Sequence, residues 1–336
     1  MTLQIYVGFI ITVIVGSFLS AAFTKRLIPK LKSKKLGQTI LEIGPRWHKD
    51  KEGTPTMGGL AFIASELIML ALLGLVFALT GALDAMQLKK LAFTFAFALL
   101  NAGIGVIDDL TKFKNHRNEG LTAAQKYLLQ LVVSGAYIAA LACFCDFNTV
   151  MKLPFTDSGL ELGFVYYIVA LLLLTGIINS VNLTDGIDGL ASSITLVVAA
   201  ALAFLAFRSG AYAGGLLCGA LIGGCLGFLV YNIHPAKIFM GDTGSLFLGA
   251  MVSGIAFIIG EPLIILFIGI VYVIETLSVI LQVTSFKLTG KRIFKMSPIH
   301  HHFEKCNWSE MKIVSVFSAV TAVVSVIVII LTEVCR

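Results

Sequence analysis

Apolar runs, each ended by a short polar or glycine-rich stretch, make up nearly the whole chain. They fall near residues 3–23, 58–80, 91–107, 124–145, 162–179, 189–207, 211–231, 245–260, 262–286 and 312–333. Each is close to the ~20 residues with which a helix crosses a hydrocarbon core. The pattern predicts an all-α, polytopic membrane protein of about ten transmembrane helices, a single integral membrane domain over residues 1–336. One stretch departs from it. In Asp146–Leu160, Pro154 and several turn formers separate short alternating segments, which predicts a small hairpin without chemistry.

Composition agrees with the pattern. The 336 residues are 57% hydrophobic and only 13% charged, against about 25% charged in a soluble chain. Two soluble domains of this length are thereby excluded. Charge is unevenly placed. Of the 25 Lys and Arg, 20 fall in the loops after the first, third and seventh runs and before the last. The positive-inside rule puts these loops in the cytoplasm and both termini outside. No Lys or Arg precedes Lys25, so the first run reads as a retained span and not as a cleaved leader. The net charge of +6 is thus a basic cytoplasmic face, and where its loops also carry acids and histidines it suits an anionic substrate. The six cysteines have no metal or redox spacing, and most lie in apolar runs, where Cys behaves as a small hydrophobe.

Candidate chemistry sits at the ends of the runs on that basic side. Asn179, Asn182, Asp185 and Asp188 recur at three-residue intervals, with a glycine after each acid. Carboxylates at the edge of an apolar span are costly and mark function by default. Three-residue steps drift around an α-helix, so these side chains are expected to converge on a 3₁₀ turn or a loop. Asp108 and Asp109 end the third run beside Lys112 and Lys114. Adjacent carboxylates repel unless a cation lies close, and acids at a helix C-terminus oppose its dipole. The pair suits Mg²⁺ and a phosphorylated substrate. Asp242 lies between glycines at the start of the eighth run, where free backbone N–H groups gather. It or Thr243 is a candidate N-cap, a role compatible with metal binding. The basic loop Gly44–Gly59, with Arg46, His48 and Lys51, suits a bound phosphate or carboxylate. The triplet His300-His301-His302 lacks zinc spacing and suits anion contact or proton transfer. Glu66 and Glu275 lie within runs, Glu275 with Gln282 toward a groove, a neighbouring helix or plain packing. The constellation calls for a metal-assisted phosphoryl transfer between a water-soluble anion and a lipid acceptor.

Four motifs carry a family resemblance: Asp108-Asp109-Leu-x-Lys112, Asn182-x-x-Asp185-Gly-x-Asp188-Gly189, Phe239–Ser245 and His300–His302. In order, and over nearly the whole chain, they resemble the polyprenyl-phosphate N-acetylhexosamine-1-phosphate transferases. The loop Pro45–Gly59 and the run Met296–Glu304 narrow this to the phospho-N-acetylmuramoyl-pentapeptide branch. The resemblance implies transfer of phospho-MurNAc-pentapeptide from UDP-MurNAc-pentapeptide to undecaprenyl phosphate, giving lipid I and UMP. The setting implied is the bilayer of a bacterial plasma membrane, with no nucleic-acid partner. Mg²⁺, or Mn²⁺, is expected on Asp242, with Asp108, Asp109 and Asp185 as further candidate ligands. One of Asp108 and Asp109 would meet the lipid phosphate as base or metal partner. Asn182, Asp185 and Asp188 would line the nucleotide and metal pocket. Lys112, Asn232 and Phe239 would contact uridine, Phe239 by stacking. Lys51, Thr56, Lys126, His300 and His301 would face the diphosphate and the sugar-peptide. The family fold adds a lipid groove by the fifth and ninth spans and a homodimer. A one-step attack and a route through an aspartyl-phosphate both fit these residues. One step is preferred, and the need for a base stays open, since a phosphomonoester is largely ionised near pH 7. A sister transferase using UDP-GlcNAc is the near alternative. A transporter is the distant one, disfavoured because the acids lie at span ends and no repeat shows.

Overall fold

The computed structural model describes residues 2–33, 51, 53–114, 120–145 and 147–335. Its helices in order are α1 (Thr2–Ser33), α2 (Gly59–Thr80), α3 (Ala85–Lys114), α4 (Ala123–Phe144), α5 (Phe164–Thr184) and α6 (Leu190–Arg208). Then follow α7 (Tyr212–Asn232), α8 (Gly241–Ile259), α9 (Ile265–Ile268), α10 (Ile270–Thr289), α11 (Ile299–Glu304) and α12 (Glu310–Val334). All but the short α9 and α11, ten in number, are long and apolar enough to cross a membrane. Between α4 and α5, β1 (Val150–Lys152) pairs antiparallel with β2 (Gly159–Glu161), Met151 opposite Leu160. This is the expected hairpin.

Two expectations are corrected. The ninth run is not one continuous span over 262–286. A 3₁₀ turn with Pro262 in its first turn leads into α9, and Gly269, outside helical geometry at ψ 30°, separates α9 from α10. The third run is longer than 91–107, because α3 continues beyond the apolar residues at both ends. Asp108, Asp109 and Lys112 stand in its last turns, at the helix end where the acids were expected.

At the centre is α8. Of its most apolar window 94% is buried against protein, compared with 28% for α1, α4 and α10. Its narrowness allows this. A Cβ on Gly249 would lie 2.7 Å from Ile178 Cα on α5, so the two backbones meet directly. Small residues at such crossings are how helices associate where lipid removes the hydrophobic incentive. A second seam joins α7 to α1. Gly219, Gly223 and Gly227 recur every four residues on one face of α7, and a Cβ on Gly227 would stand 2.2 Å from the Ser17 carbonyl. Buried hydroxyls tie other pairs: Thr94 and Tyr137 at 2.9 Å, Tyr137 donating to the Gly254 carbonyl at 3.1 Å, and Thr195 and Tyr272 at 2.7 Å. Large apolar side chains such as Leu3, Ile10, Phe18, Leu128 and Val132 remain exposed on the outer helices, the face that lipid covers.

The packing brings the C-terminal ends of α3, α5 and α7 to the N-terminal ends of α4, α6, α8 and α12. The polar groups of the chain collect at this end.

Candidate active site

Asp108 and Asp109 ride on the last turns of α3, and Asp242 on the first turn of α8. The helices meet because position 105 is glycine; a Cβ there would lie 2.3 Å from the Asp242 carbonyl oxygen. One carboxylate oxygen from each of the three acids lies within 4.8 Å of the other two. Their partners differ. Asp109 accepts the backbone N–H of Asp242 at 3.2 Å and of Thr243 at 3.0 Å, and the Thr243 hydroxyl at 2.7 Å. It caps α8 from a neighbouring helix. The expected N-cap at Asp242 or Thr243 is thereby corrected: the capping position is Met240, without a side-chain bond, and Asp109 supplies the missing acceptor. Asp108 accepts the Leu121 N–H at 2.8 Å and meets the Lys112 ammonium at 2.6 Å. Asp242 receives Lys112 at 2.9 Å, Lys126 at 2.7 Å and the Asn182 amide at 2.8 Å. Two ammonium groups do not neutralise three carboxylates. An all-oxygen donor set without His or Cys fits a hard cation of the Mg²⁺ or Mn²⁺ kind.

The Asn179–Asp188 stretch does not converge as expected, because α5 stays helical through Thr184. Asn179 turns to α4, donating to Gln130 Oε1 at 2.6 Å. Asn182 turns to α8, bridging Asp242 and the Ser245 hydroxyl, each at 2.8 Å. Asp185 ends α5. Loss of solvent, then the charges of Asp242, Asp109 and Asp188, push its carboxyl well above the ordinary carboxylate range. Asp188 faces another group. It meets Lys51 at 2.7 Å, His234 Nδ1 at 2.9 Å and the Ala236 N–H at 3.0 Å. Glu310, at the start of α12, accepts Lys51 at 2.7 Å and the Asp188 N–H at 3.0 Å. Asp188, His234 and Glu310 thus form a second cluster, with ligand atoms again within 4.8 Å of one another.

The remaining expected residues are distributed around these two clusters. The 55–59 segment pairs with 239–240 through Phe239 N–H to Pro55 O at 2.8 Å, Gly58 N–H to Phe239 O at 2.8 Å and Gly59 N–H to Met240 O at 3.0 Å. This places Thr56 beside Gly241, where it and Asp109 crowd the same backbone. Phe239 is half-buried. Asn232 is buried, and its amide donates to the Ile238 carbonyl at 3.0 Å, shaping the 232–238 loop from behind. His300 is fully buried against Glu275, Nδ1 to Oε2 3.1 Å, and is not joined to the carboxylate cluster. His301 meets Glu304 at 2.5 Å. Of the Pro45–Gly59 loop, residues 45–50 and 52, Arg46 and His48 included, lie outside the described residues. Sequence reasoning missed His234 and Glu310, and gave Ser245 no role of its own although the Phe239–Ser245 motif contains it. His234 stands two residues after the expected Asn232, but nothing in the spacing of Glu310 points to a partner more than a hundred residues away.

Fold and site together define a polytopic membrane protein with a carboxylate cluster and two ammonium groups at one end of its helical bundle. The model of glycosyl transferase family 4 matches residues 91–260, which span α3 to α8 and so hold every acid of the first cluster. A phospho-N-acetylmuramoyl-pentapeptide-transferase signature matches residues 51–63, which include Lys51 and Thr56. Curated relatives bearing that transferase name extend over almost the full chain. One from Clostridium perfringens (strain SM101) is 45% identical over 322 residues, covering 95% of this chain and 94% of the relative. One from Staphylococcus aureus is 47% identical over 297 residues, covering 88% and 90%. One from Bacillus cytotoxicus is 42% identical over 320 residues, covering 95% and 96%. The chain belongs to the phospho-N-acetylmuramoyl-pentapeptide-transferase family.

Proposed function

We propose that the chain transfers phospho-MurNAc-pentapeptide from UDP-MurNAc-pentapeptide to undecaprenyl phosphate, releasing UMP and forming lipid I, with Mg²⁺ held by Asp242 and Asp108. The observation that carries the reading is the meeting of Asp108, Asp109 and Asp242 with Lys112 and Lys126 at one end of the bundle. The group transferred is the one for which the relatives are named, and its UDP conjugate is the donor the family resemblance implies. The basic loops put this end in the cytoplasm and both termini outside. The whole chain acts as one membrane domain, and the family resemblance adds a homodimer.

The exchange of one phosphoanhydride for another asks mainly for positioning and charge neutralisation. Lys112 and Lys126, whose ammonium groups share Asp242 Oδ2, reach the donor diphosphate from the same place. Asn182 orients Asp242 through its amide, and Asp109 fixes the turn that carries it. A bound Mg²⁺ would supply Lewis-acid neutralisation of the diphosphate, with Asp185 as a further ligand. Asp188, braced by His234, and Glu310 hold Lys51 for the sugar-peptide part. Thr56, beside Gly241, and His301 serve the same substrate, and the Phe239 ring stacks on uracil near Asn232. The acceptor enters along α5 and α10, whose Leu172, Ile274, Leu277 and Leu281 are exposed and apolar. Its phosphate is ionised near pH 7, so an acceptor oxygen attacks the sugar-bearing phosphorus and UMP leaves in one step.

UMP release by the detergent-purified chain tests this. Release is expected with UDP-MurNAc-pentapeptide and not UDP-GlcNAc, to require Mg²⁺ or Mn²⁺, and to fall at least about 100-fold in Asp242→Asn. Turnover of UDP-GlcNAc instead would assign the sister transferase. A phosphorylated enzyme trapped without lipid would replace the one-step route.

A further inference from the structure

Glu275 on α10 and His300 on α11 are both fully buried. Their contact, 3.1 Å from Nδ1 to Oε2, occupies one ring nitrogen. The other, Nε2, has no hydrogen-bond partner among the described residues. It points at Gly186, where a Cβ would lie only 2.2 Å from Nε2 and 2.6 Å from Cε1. The imidazole edge thus rests on the bare backbone of the turn between Asp185 and Asp188, while the other side of Gly186 is exposed.

This geometry assigns the ring proton. An ionised carboxylate only accepts, so the 3.1 Å contact with Glu275 Oε2 requires an N–H at Nδ1. The proton therefore sits on Nδ1, shared with Glu275. Helix α10 also holds the segment leading to α11. The Gln282 side-chain oxygen Oε1 accepts the N–H of Ile293 at 3.0 Å and of Phe294 at 2.9 Å, and its Nε2 donates to Phe294 O at 3.0 Å. Thr276, next to Glu275, donates to Ser180 on α5 at 2.7 Å. A continuous chain of contacts runs from α10 through His300 and Gly186 to both acids of the turn.

We propose that Glu275 and His300 are a positioning pair for the Asp185–Asp188 turn: Glu275 orients the imidazole, and the imidazole edge sets where Gly186, and with it both carboxylates, lies. The inference rests on the proposed role of Asp185 and Asp188 in the transfer site. A buried acid inside a span needs such a partner, and a displacement of about 1 Å at a reacting site costs on the order of 100-fold in rate.

The test is UMP release by the purified full-length chain with both substrates. Glu275→Leu and His300→Leu are each expected to lose about 100-fold in kcat, with KM for the UDP donor changed less than kcat. The double variant should fall no further than the worse single, because the residues act as a unit. Glu275→Gln, whose Oε1 still accepts the Nδ1–H, should recover most of the loss. Gly186→Ala probes the same contact from the exposed turn, without altering the interior of a span, and should lose activity comparably. Leucine variants within about twofold of wild type, losses that multiply in the double variant, a Gln variant no better than Leu, or full activity in Gly186→Ala would each overturn the pair. Asp185→Asn separates the two levels. If it retains full activity, the site reading itself fails; if it is inactive while Glu275→Leu is active, only the pair fails.

Discussion

Both carboxylate oxygens of Asp109 are hydrogen-bonded to the first turn of α8, whereas those of its neighbour Asp108 face Leu121 and Lys112. Two adjacent acids therefore have separable tasks. In Asp109→Asn the amide group would present a donor to N–H donors, so the variant should unfold at a lower temperature, with a stability loss of about 1–3 kcal/mol, readable by thermal unfolding in detergent. Asp185 gives a pH-dependent consequence. Its carboxyl is raised above the ordinary range, first by loss of solvent and then by three neighbouring acids. A raised acid is still protonated in the native chain at a pH where the unfolded chain has ionised it, so native stability from this group falls as pH rises through that window. A cation favours the ionised form. Its binding should release a proton and tighten with rising pH, and calorimetry in buffers of different ionisation enthalpy should lose that proton in Asp185→Asn. The identities of these acids were legible in the sequence because carboxylates beside apolar runs are rare. Their partners were not, since the Asp188–Glu310 and Asp109–Thr243 contacts join residues more than a hundred positions apart.

At the level of elements, apolar run length located the ten long helices, since the bilayer sets one length for all of them. It failed where polar residues prolong a helix, as at Asp108–Lys114, and where Pro262 and Gly269 interrupt a run that stays apolar throughout. Convergence of the Asn179–Asp188 side chains was expected from spacing alone, but helix persistence through Thr184 sends them to α4, α8 and the second cluster. The glycines say more than periodicity does. Gly105 lets α3 carry its acids up to the start of α8. Gly105→Ala should force the two helices apart, at about 1–3 kcal/mol for overpacking, and should weaken cation binding more than it lowers expression. Unchanged cation affinity in a folded Gly105→Ala would show that this approach does not set the site.

Across the whole molecule, every site residue gathers at the end of the bundle where the basic loops lie, so orientation and function are linked. Cys143 and Cys335 are exposed and Cys306 partly so; the first two lie at the end of the bundle away from the acids, and Cys306 lies at the site end. A membrane-impermeant maleimide on intact cells should label Cys143 and Cys335 and spare Cys306 until the membrane is opened. The reverse order would invert the orientation. Asp242 and Asp108, at the meeting of α8 and α3, are proposed to hold a divalent cation for the transfer. Mn²⁺ binding to the purified chain, followed by electron paramagnetic resonance, tests it most directly. A single Mn²⁺ site is expected, displaced by Mg²⁺ and abolished by Asp242→Asn. Unchanged Mn²⁺ binding in Asp242→Asn would contradict it.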